Sequence, residues 1–356
     1  MFCFGKRRSA LGTVAVLSLF FAVPVAAGPF SGIIVFGDSL IDAGNVQSVS
    51  AQLGEEDPTP ATLGYYEGRF TNGPTYADLL SERLTGRSLS PTFPYPSPGA
   101  LPPAGRNLNF GYGGAQAIQG ADPVPDVGAQ VAAYAALTTY ADPDALYIIN
   151  IGGNDLFQLV AEGFPSTTPD YLASVTGRIA AQVALLDGIG ARHILVTSAP
   201  PVQGVPLYNA LPDEQEAEVR AGARVIADQF DLLLVEALES LELEARLNIF
   251  SYLDLYDAFA ANPVKFGFPE GVDITNSCLT VQTPSPNIDC SNFLFFDDVH
   301  PTAAAHAVIA REITDLVMPV PEPASTGLLF LGVAALVAAR RRKPVEACLL
   351  TGSMPY

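Results

Sequence analysis

Four short stretches of this chain hold residue types that can together cleave an ester. The run IIVFGDSLIDAGN, residues 33–45, begins as apolar, β-favouring residues and breaks at Gly37, Asp38 and Ser39. A serine therefore stands at the tip of a strand buried on both faces. A serine nucleophile needs a base, usually a histidine held by a carboxylate. The chain has 3 histidines. His193 precedes the run ILVTS, at the amino end of a strand, and His306 falls mid-helix in PTAAAHAVIARE. His300, in FFDDVHPTAAAH, is expected in the loop before a helix begun by Pro301. Asp297, three residues earlier, can meet the imidazole Nδ1 within one turn and leave Nε2 for Ser39. Asp298 is the alternative carboxylate and is expected to point away. Acyl transfer also needs donors for the developing oxyanion. Asn154 in NIGGND offers a side-chain amide, and Gly113 or Gly114 in NFGYGGA offers a backbone N–H. Singly, each stretch reads as a helix cap, a turn or a core histidine.

Something must bring these stretches together. Apolar, β-rich runs recur at GIIVFG, ALYIINIGG, RHILVTSAP and LNIFSYLD, with a weaker one at RNLNFGYGG. Between them, TNGPTYADLLSERL, VGAQVAAYAALTTY, YLASVTGRIAAQVALLDGI and the long segment from Pro212 to Leu247 carry helical periodicity. Such alternation predicts an α/β fold with a parallel sheet covered by helices on both faces. Ligands of such sheets bind beyond the carboxyl ends of the strands. Gly37–Ser39, Gly152–Asp155 and Ala199–Pro200 are three such ends. The Pro-rich stretch LSPTFPYPSPGALPPAGR is expected as a surface loop.

Both ends read as targeting segments. Residues 1–27 have a basic start (Lys6, Arg7, Arg8), an apolar run and small residues before Ala27, the form of a secretory signal peptide. Near the other end, an apolar stretch over residues 324–339 precedes Arg340–Lys343. That stretch is just short of the ~17–25 residues of a usual span, and its cations favour a cytoplasmic end. Residues 344–356 fit no pattern. The body between the ends carries 11 Lys and Arg against 35 Asp and Glu. So acidic a surface repels phosphate backbones, which disfavours nucleic acid as a partner. Cys278 and Cys290 are the body's two cysteines, and an even pair in an oxidising compartment predicts a disulfide. No CxxC, HExxH or histidine cluster points to a metal, and neither a metal nor an organic cofactor is expected.

The four stretches together resemble the GDSL lipase/esterase family, also called SGNH hydrolases. FGDSL, NFGYGGA, GGND and DDVH occur in that family's order, from Gly37 to His300. FGDSLIDAGN and YYEGRFTNGPTYADLL are similar to the subgroup of plant-type GDSL lipases and bacterial phospholipase- or haemolysin-like enzymes. The resemblance implies a flavodoxin-like three-layer α/β/α fold over residues 28–318. It also implies Ser39 as nucleophile, His300 as base, Asp297 as its orienter, and Ser39, Gly114 (or Gly113) and Asn154 as oxyanion donors. The G-x-S-x-G elbow of the rival α/β-hydrolase fold does not occur. The tail resembles the PEP-CTERM sorting signal over residues 319–343, with Val320–Pro323 ahead of the apolar span. It implies export from a Gram-negative bacterium, transient inner-membrane anchoring and processing by an exosortase-type enzyme. The expected activity is hydrolysis of acyl esters, whether of lipid, phospholipid or acetylated polysaccharide. The competing expectation is a matrix or adhesion protein that keeps the fold without turnover.

Overall fold

A computed structural model describes residues 28–94, 105, 107–120, 123–138 and 140–318. The expected signal peptide, the sorting signal with its span and the last 13 residues lie outside these. In chain order come β1 (Ile33–Gly37), α1 (Asn45–Leu53), α2 (Tyr76–Thr85), β2 (Ser90–Pro91) and β3 (Leu108–Asn109). Next are α3 (Val127–Leu137), β4 (Leu146–Asn150), α4 (Gly153–Ala161), α5 (Thr168–Gly188) and β5 (His193–Thr197). The remainder is α6 (Asp213–Glu239), β6 (Arg246–Phe250), α7 (Tyr252–Ala261), β7 (Asp273–Ser277), α8 (Cys278–Val281), β8 (Phe293–Phe295) and α9 (Ala303–Val317).

The apolar runs form one parallel sheet in the order β2-β3-β1-β4-β5-β6. Without the two-residue edge strand β2, this is the flavodoxin-like order. The chain leaves β1 toward β3 on one side and returns as β4 on the other. That reversal opens a crevice beyond the carboxyl end of β1, where such sheets hold their ligands. Strand alternation sorts the core into two layers. Ile34, Phe36, Tyr147 and Ile149 pack beneath α3, α5 and α6. Ile33, Val35, Leu146 and Ile148 pack beneath α2 and α9. The architecture is thus the expected three-layer α/β/α fold.

The helix boundaries follow from caps. Thr75 and Asp78 form a reciprocal capping box at the start of α2. Thr302 caps α9 by accepting the Ala305 N–H, so the helix starts just after Pro301 and not at it. The start of the Pro-rich stretch pairs with the sheet as β2. β7 and β8 form a second, two-stranded parallel sheet. Cys278 and Cys290 are joined, with Cα atoms 5.5 Å apart. They pack with Phe293 and Phe296 immediately ahead of Asp297.

Candidate active site

β1 ends at Gly37, whose φ is +153°. A Cβ there would lie 1.8 Å from the Asn150 carbonyl oxygen of β4, so only glycine lets the two strand ends approach this closely. The turn that follows exposes Ser39. Its Oγ lies 2.8 Å from His300 Nε2. On the other side of the ring, His300 Nδ1 is 2.9 Å from both Oδ1 and Oδ2 of Asp297. Hydroxyl, imidazole and carboxylate thus stand in series across 261 residues of sequence separation. Asp298 turns away, accepting from Ser277 Oγ and Thr280 Oγ1. His193 opens β5 at its amino end and packs edge-on to Phe30. His306 is buried in α9, where its Nδ1 accepts the Tyr76 N–H.

The Asp297–His300 turn is tightly held. Asp297 Oδ1 accepts the backbone N–H groups of Val299 and His300 at 2.9 and 2.7 Å. Tyr65 donates its hydroxyl to Oδ2 at 2.9 Å. Burial opposes the carboxylate charge, yet His300 and these N–H donors outweigh it and hold Asp297 below its ordinary pKa. Burial likewise opposes the imidazolium, but Asp297 and then Asp38 hold His300 above its ordinary value. The segment Tyr65–Asn72 braces the whole turn. Phe70 lies against the imidazole with ring centroids 5.1 Å apart. Thr71 Oγ1 donates to the Pro301 carbonyl, and Asn72 Oδ1 accepts the Ala303 N–H. The stretch YYEGRFTNG suggested a subgroup but no task. Its task is visible only when residues some 230 positions apart meet.

The donors converge on the same cleft. Gly113 gives its N–H to Asp42 Oδ2 at 2.9 Å, which removes it as a donor to a substrate. Gly114, at φ +87°, has an N–H with no acceptor among the described residues, as has Ser39. Asn154 uses one amide N–H on the Ala115 carbonyl at 2.8 Å and keeps the other. Two buried aspartates fix these loops. Asp42 also accepts from Gly44 and Asn45, tying the nucleophile turn to Gly113. Asp155 accepts the N–H groups of Ala117 and Ile118, tying the start of α4 to the glycine loop. In sequence both read as local helix caps, so their cross-linking was hidden.

Beneath Ser39 lies a buried polar clamp that the sequence also hid. Asn150 Oδ1 accepts three hydroxyls, from Tyr76, Tyr252 and Thr197. Its Nδ2 is thereby aimed at Asp38 Oδ1, 2.8 Å away, and the Leu40 N–H donates to the same oxygen. Burial pushes the Asp38 carboxyl up to about 7 against these favourable contacts. A cavity of about 940 Å3 runs from Ser39, Gly114, Asn154 and His300 into largely apolar surroundings. Among the described residues no three His, Cys, Asp or Glu side chains converge as a metal-holding group.

The three-layer fold and the family match together define a hydrolase of carboxylic esters. A family model of GDSL-like lipase/acylhydrolases matches residues 33–313. The chain belongs to the GDSL-like lipase/acylhydrolase family. A GDSL esterase/lipase of Arabidopsis thaliana is 26% identical over 322 residues, covering 78% of this chain and 82% of its own length. An uncharacterised protein from the trpE-trpG intergenic region of Pseudomonas putida is 29% identical, covering 84% of this chain and 50% of its own length. Among solved structures, Est24, a carbohydrate acetylesterase from Sinorhizobium meliloti, is 16% identical. It covers 86% of this chain and 99% of its own, with a TM-score of 0.41. The PEP-CTERM protein-sorting motif matches residues 319–343. It marks the chain for exosortase-type export in a Gram-negative bacterium. Among the described residues no helix is long and apolar enough to cross a membrane.

Proposed function

We propose that the enzyme hydrolyses acyl esters through a Ser39–His300–Asp297 triad and an acyl-enzyme. The observation that carries this reading is the 2.8 Å contact between Ser39 Oγ and His300 Nε2. His300 takes the Ser39 proton as Oγ bonds to the acyl carbon, and the carbonyl electron pair moves to oxygen. The N–H groups of Ser39 and Gly114 and the Asn154 amide receive that oxyanion; one such donor typically contributes about 10²–10³ in kcat. On collapse, the ester C–O bond breaks and His300 protonates the departing alkoxide. Water, deprotonated by His300, then adds to the acyl carbon; on collapse the bond to Ser39 Oγ breaks, His300 returns the proton to Oγ, and the carboxylic acid leaves. Asp297 keeps the imidazole oriented and stabilises its positive form. Each role falls to a side chain or backbone group of this chain. Rapid mixing with a p-nitrophenyl ester tests the acyl-enzyme. Where deacylation is slower than acylation, the reading expects a burst of about one p-nitrophenol per enzyme. With an isotopically distinct acyl group, mass spectrometry of the quenched protein expects the adduct on Ser39. An adduct on another residue contradicts the reading.

Tyr65 provides a test through pH. The free enzyme must hold His300 neutral to act as base, so kcat/KM is full above its pKa and falls as pH drops through it. Because that pKa is raised, the acid limb is expected above 6.5, the ordinary value. In Tyr65→Phe, Asp297 loses a donor and holds the imidazolium more strongly. The limb should move to higher pH, and the plateau should fall about tenfold as the charged acceptor loses one hydrogen bond. A plateau loss with an unmoved limb means that Tyr65 only packs.

The same reading extends to the ends of the chain. A signal peptide removed after Ala27 carries residues 28–318 outward as the hydrolase domain. The span over residues 324–339 then anchors that domain at the inner membrane until cleavage near Val320–Pro323 releases it. Mass spectrometry of extracellular protein should find a C-terminal peptide ending near those residues. Recovery only of membrane-bound protein intact through Arg342 means that the anchor is permanent.

A further inference from the structure

Ligand pockets commonly measure about 300–1,000 Å3, and beside Ser39 lies a half-open cavity of about 940 Å3. At roughly 30 Å3 per water it has room for some thirty of them. Its walls are built by helix periodicity. On α4, Phe157 and Val160 follow Asn154 at successive three-residue steps, so one helix face runs from the oxyanion donor into apolar space. On α7, Leu255, Tyr256 and Phe259 continue a face that begins at Tyr252. On α9, Ala305, Val308 and Ile309 do the same from the His300 side. α6 closes the space with Val219, one turn from the exposed Gln215. Many of these side chains belong to an apolar cluster separate from the two layers that cover the sheet. They are not needed to bury the sheet, and they do not close on themselves.

The charge pattern is equally one-sided. The lining includes no Lys, Arg or Glu; Asp38 and His300 sit at its Ser39 end, and burial keeps its three tyrosines, Tyr208, Tyr252 and Tyr256, neutral. A phosphate or carboxylate in this space finds no Lys or Arg among the lining residues, Arg220 lying behind Tyr208 and paired with Glu216, while an alkyl chain finds mostly apolar wall. An acetyl group leaves nearly all of the space unfilled.

We infer that this cavity is the acyl-chain site, and that the enzyme selects uncharged acyl chains of about eight carbons or more over acetyl groups. The inference rests on the proposed Ser39 chemistry and adds its substrate class. Each methylene transferred from water to the cavity raises kcat/KM by up to about fourfold, from ~0.8 kcal/mol per CH₂.

The test measures kcat/KM for p-nitrophenyl acetate, butyrate, octanoate and decanoate, kept below their aggregation limits, on the mature enzyme. Val219→Trp and Val160→Trp, on α6 and α4, narrow the cavity at residues outside the triad. Wild type should favour octanoate over acetate by at least about thirtyfold. Each tryptophan variant should lose about tenfold on octanoate while acetate changes less than about twofold. Acetate turnover and a thermal melt report whether the variant is folded, and the wild-type profile stands without either variant. A flat profile, or a preference for acetate, overturns the inference. If Ser39 still labels with a fluorophosphonate in that case, the triad reading stands alone. If neither ester turnover nor labelling occurs, both fall.

Discussion

Ser39→Ala and His300→Ala are each expected to lower kcat by roughly 10⁴–10⁶ while leaving the protein folded. On the proposed mechanism Ser39 and His300 act as a unit, so the double variant should be no worse than either single one. That non-additivity is the informative part, since two independent contributors would multiply their losses. The fold should survive because neither side chain supports much else. The Ser39 hydroxyl bonds to His300. Among the described residues the His300 ring bonds to Ser39 and Asp297 alone, while its backbone carbonyl accepts from Phe296. Circular dichroism and a thermal melt alongside turnover check both halves. Near-normal turnover in Ser39→Ala means that another group carries the chemistry.

Asp297→Asn should cost about 10⁴ in kcat with little change in KM. The amide is nearly isosteric and its oxygen can still accept the N–H groups of Val299 and His300, so the turn persists. That oxygen is already taken by those two N–H groups, and the NH₂ standing in place of Oδ2, 2.9 Å from Nδ1, can only donate to it. Two results follow: the imidazole is favoured in the tautomer with Nε2 protonated, and it loses the charge that stabilises the imidazolium. The Nε2 proton then faces Ser39 where a lone pair is needed. The raised His300 pKa depends largely on Asp297, so the acid limb of the residual activity should fall to lower pH. An Asp297→Asn enzyme with wild-type kcat would transfer the orienting role to another carboxylate, with Asp38 the first candidate because it also acts on His300.

The contrast between what was legible and what was hidden has a physical basis. The places of Ser39 and Asn154 just beyond strand ends could be read because a strand that stops abruptly at small polar residues leaves a local mark. Asp297 and His300 could be paired because three residues within one turn set their distance. The alternation of β-rich and helical runs foretold the parallel sheet, since each strand buried on both faces is apolar without interruption. The choice between Gly113 and Gly114 was not legible. It depends on Asp42, 71 residues away, which takes one N–H and leaves the other. Nor could the brace of Tyr65, Phe70, Thr71 and Asn72 be read, because its partners lie on the far side of the domain in sequence. The cavity was hidden for the same reason: its walls come from four helices, and each wall alone is an ordinary amphipathic face.

The central claim is that Ser39 is the nucleophile, activated by His300. Incubation of the mature protein with a fluorophosphonate, followed by peptide mapping, tests it most directly. One phosphonyl group should be found per folded molecule, on the peptide bearing Ser39. Labelling should be slowed by several orders of magnitude in His300→Ala and abolished by unfolding. A folded protein that turns over esters yet leaves Ser39 unlabelled, or carries the label on another residue, contradicts the account.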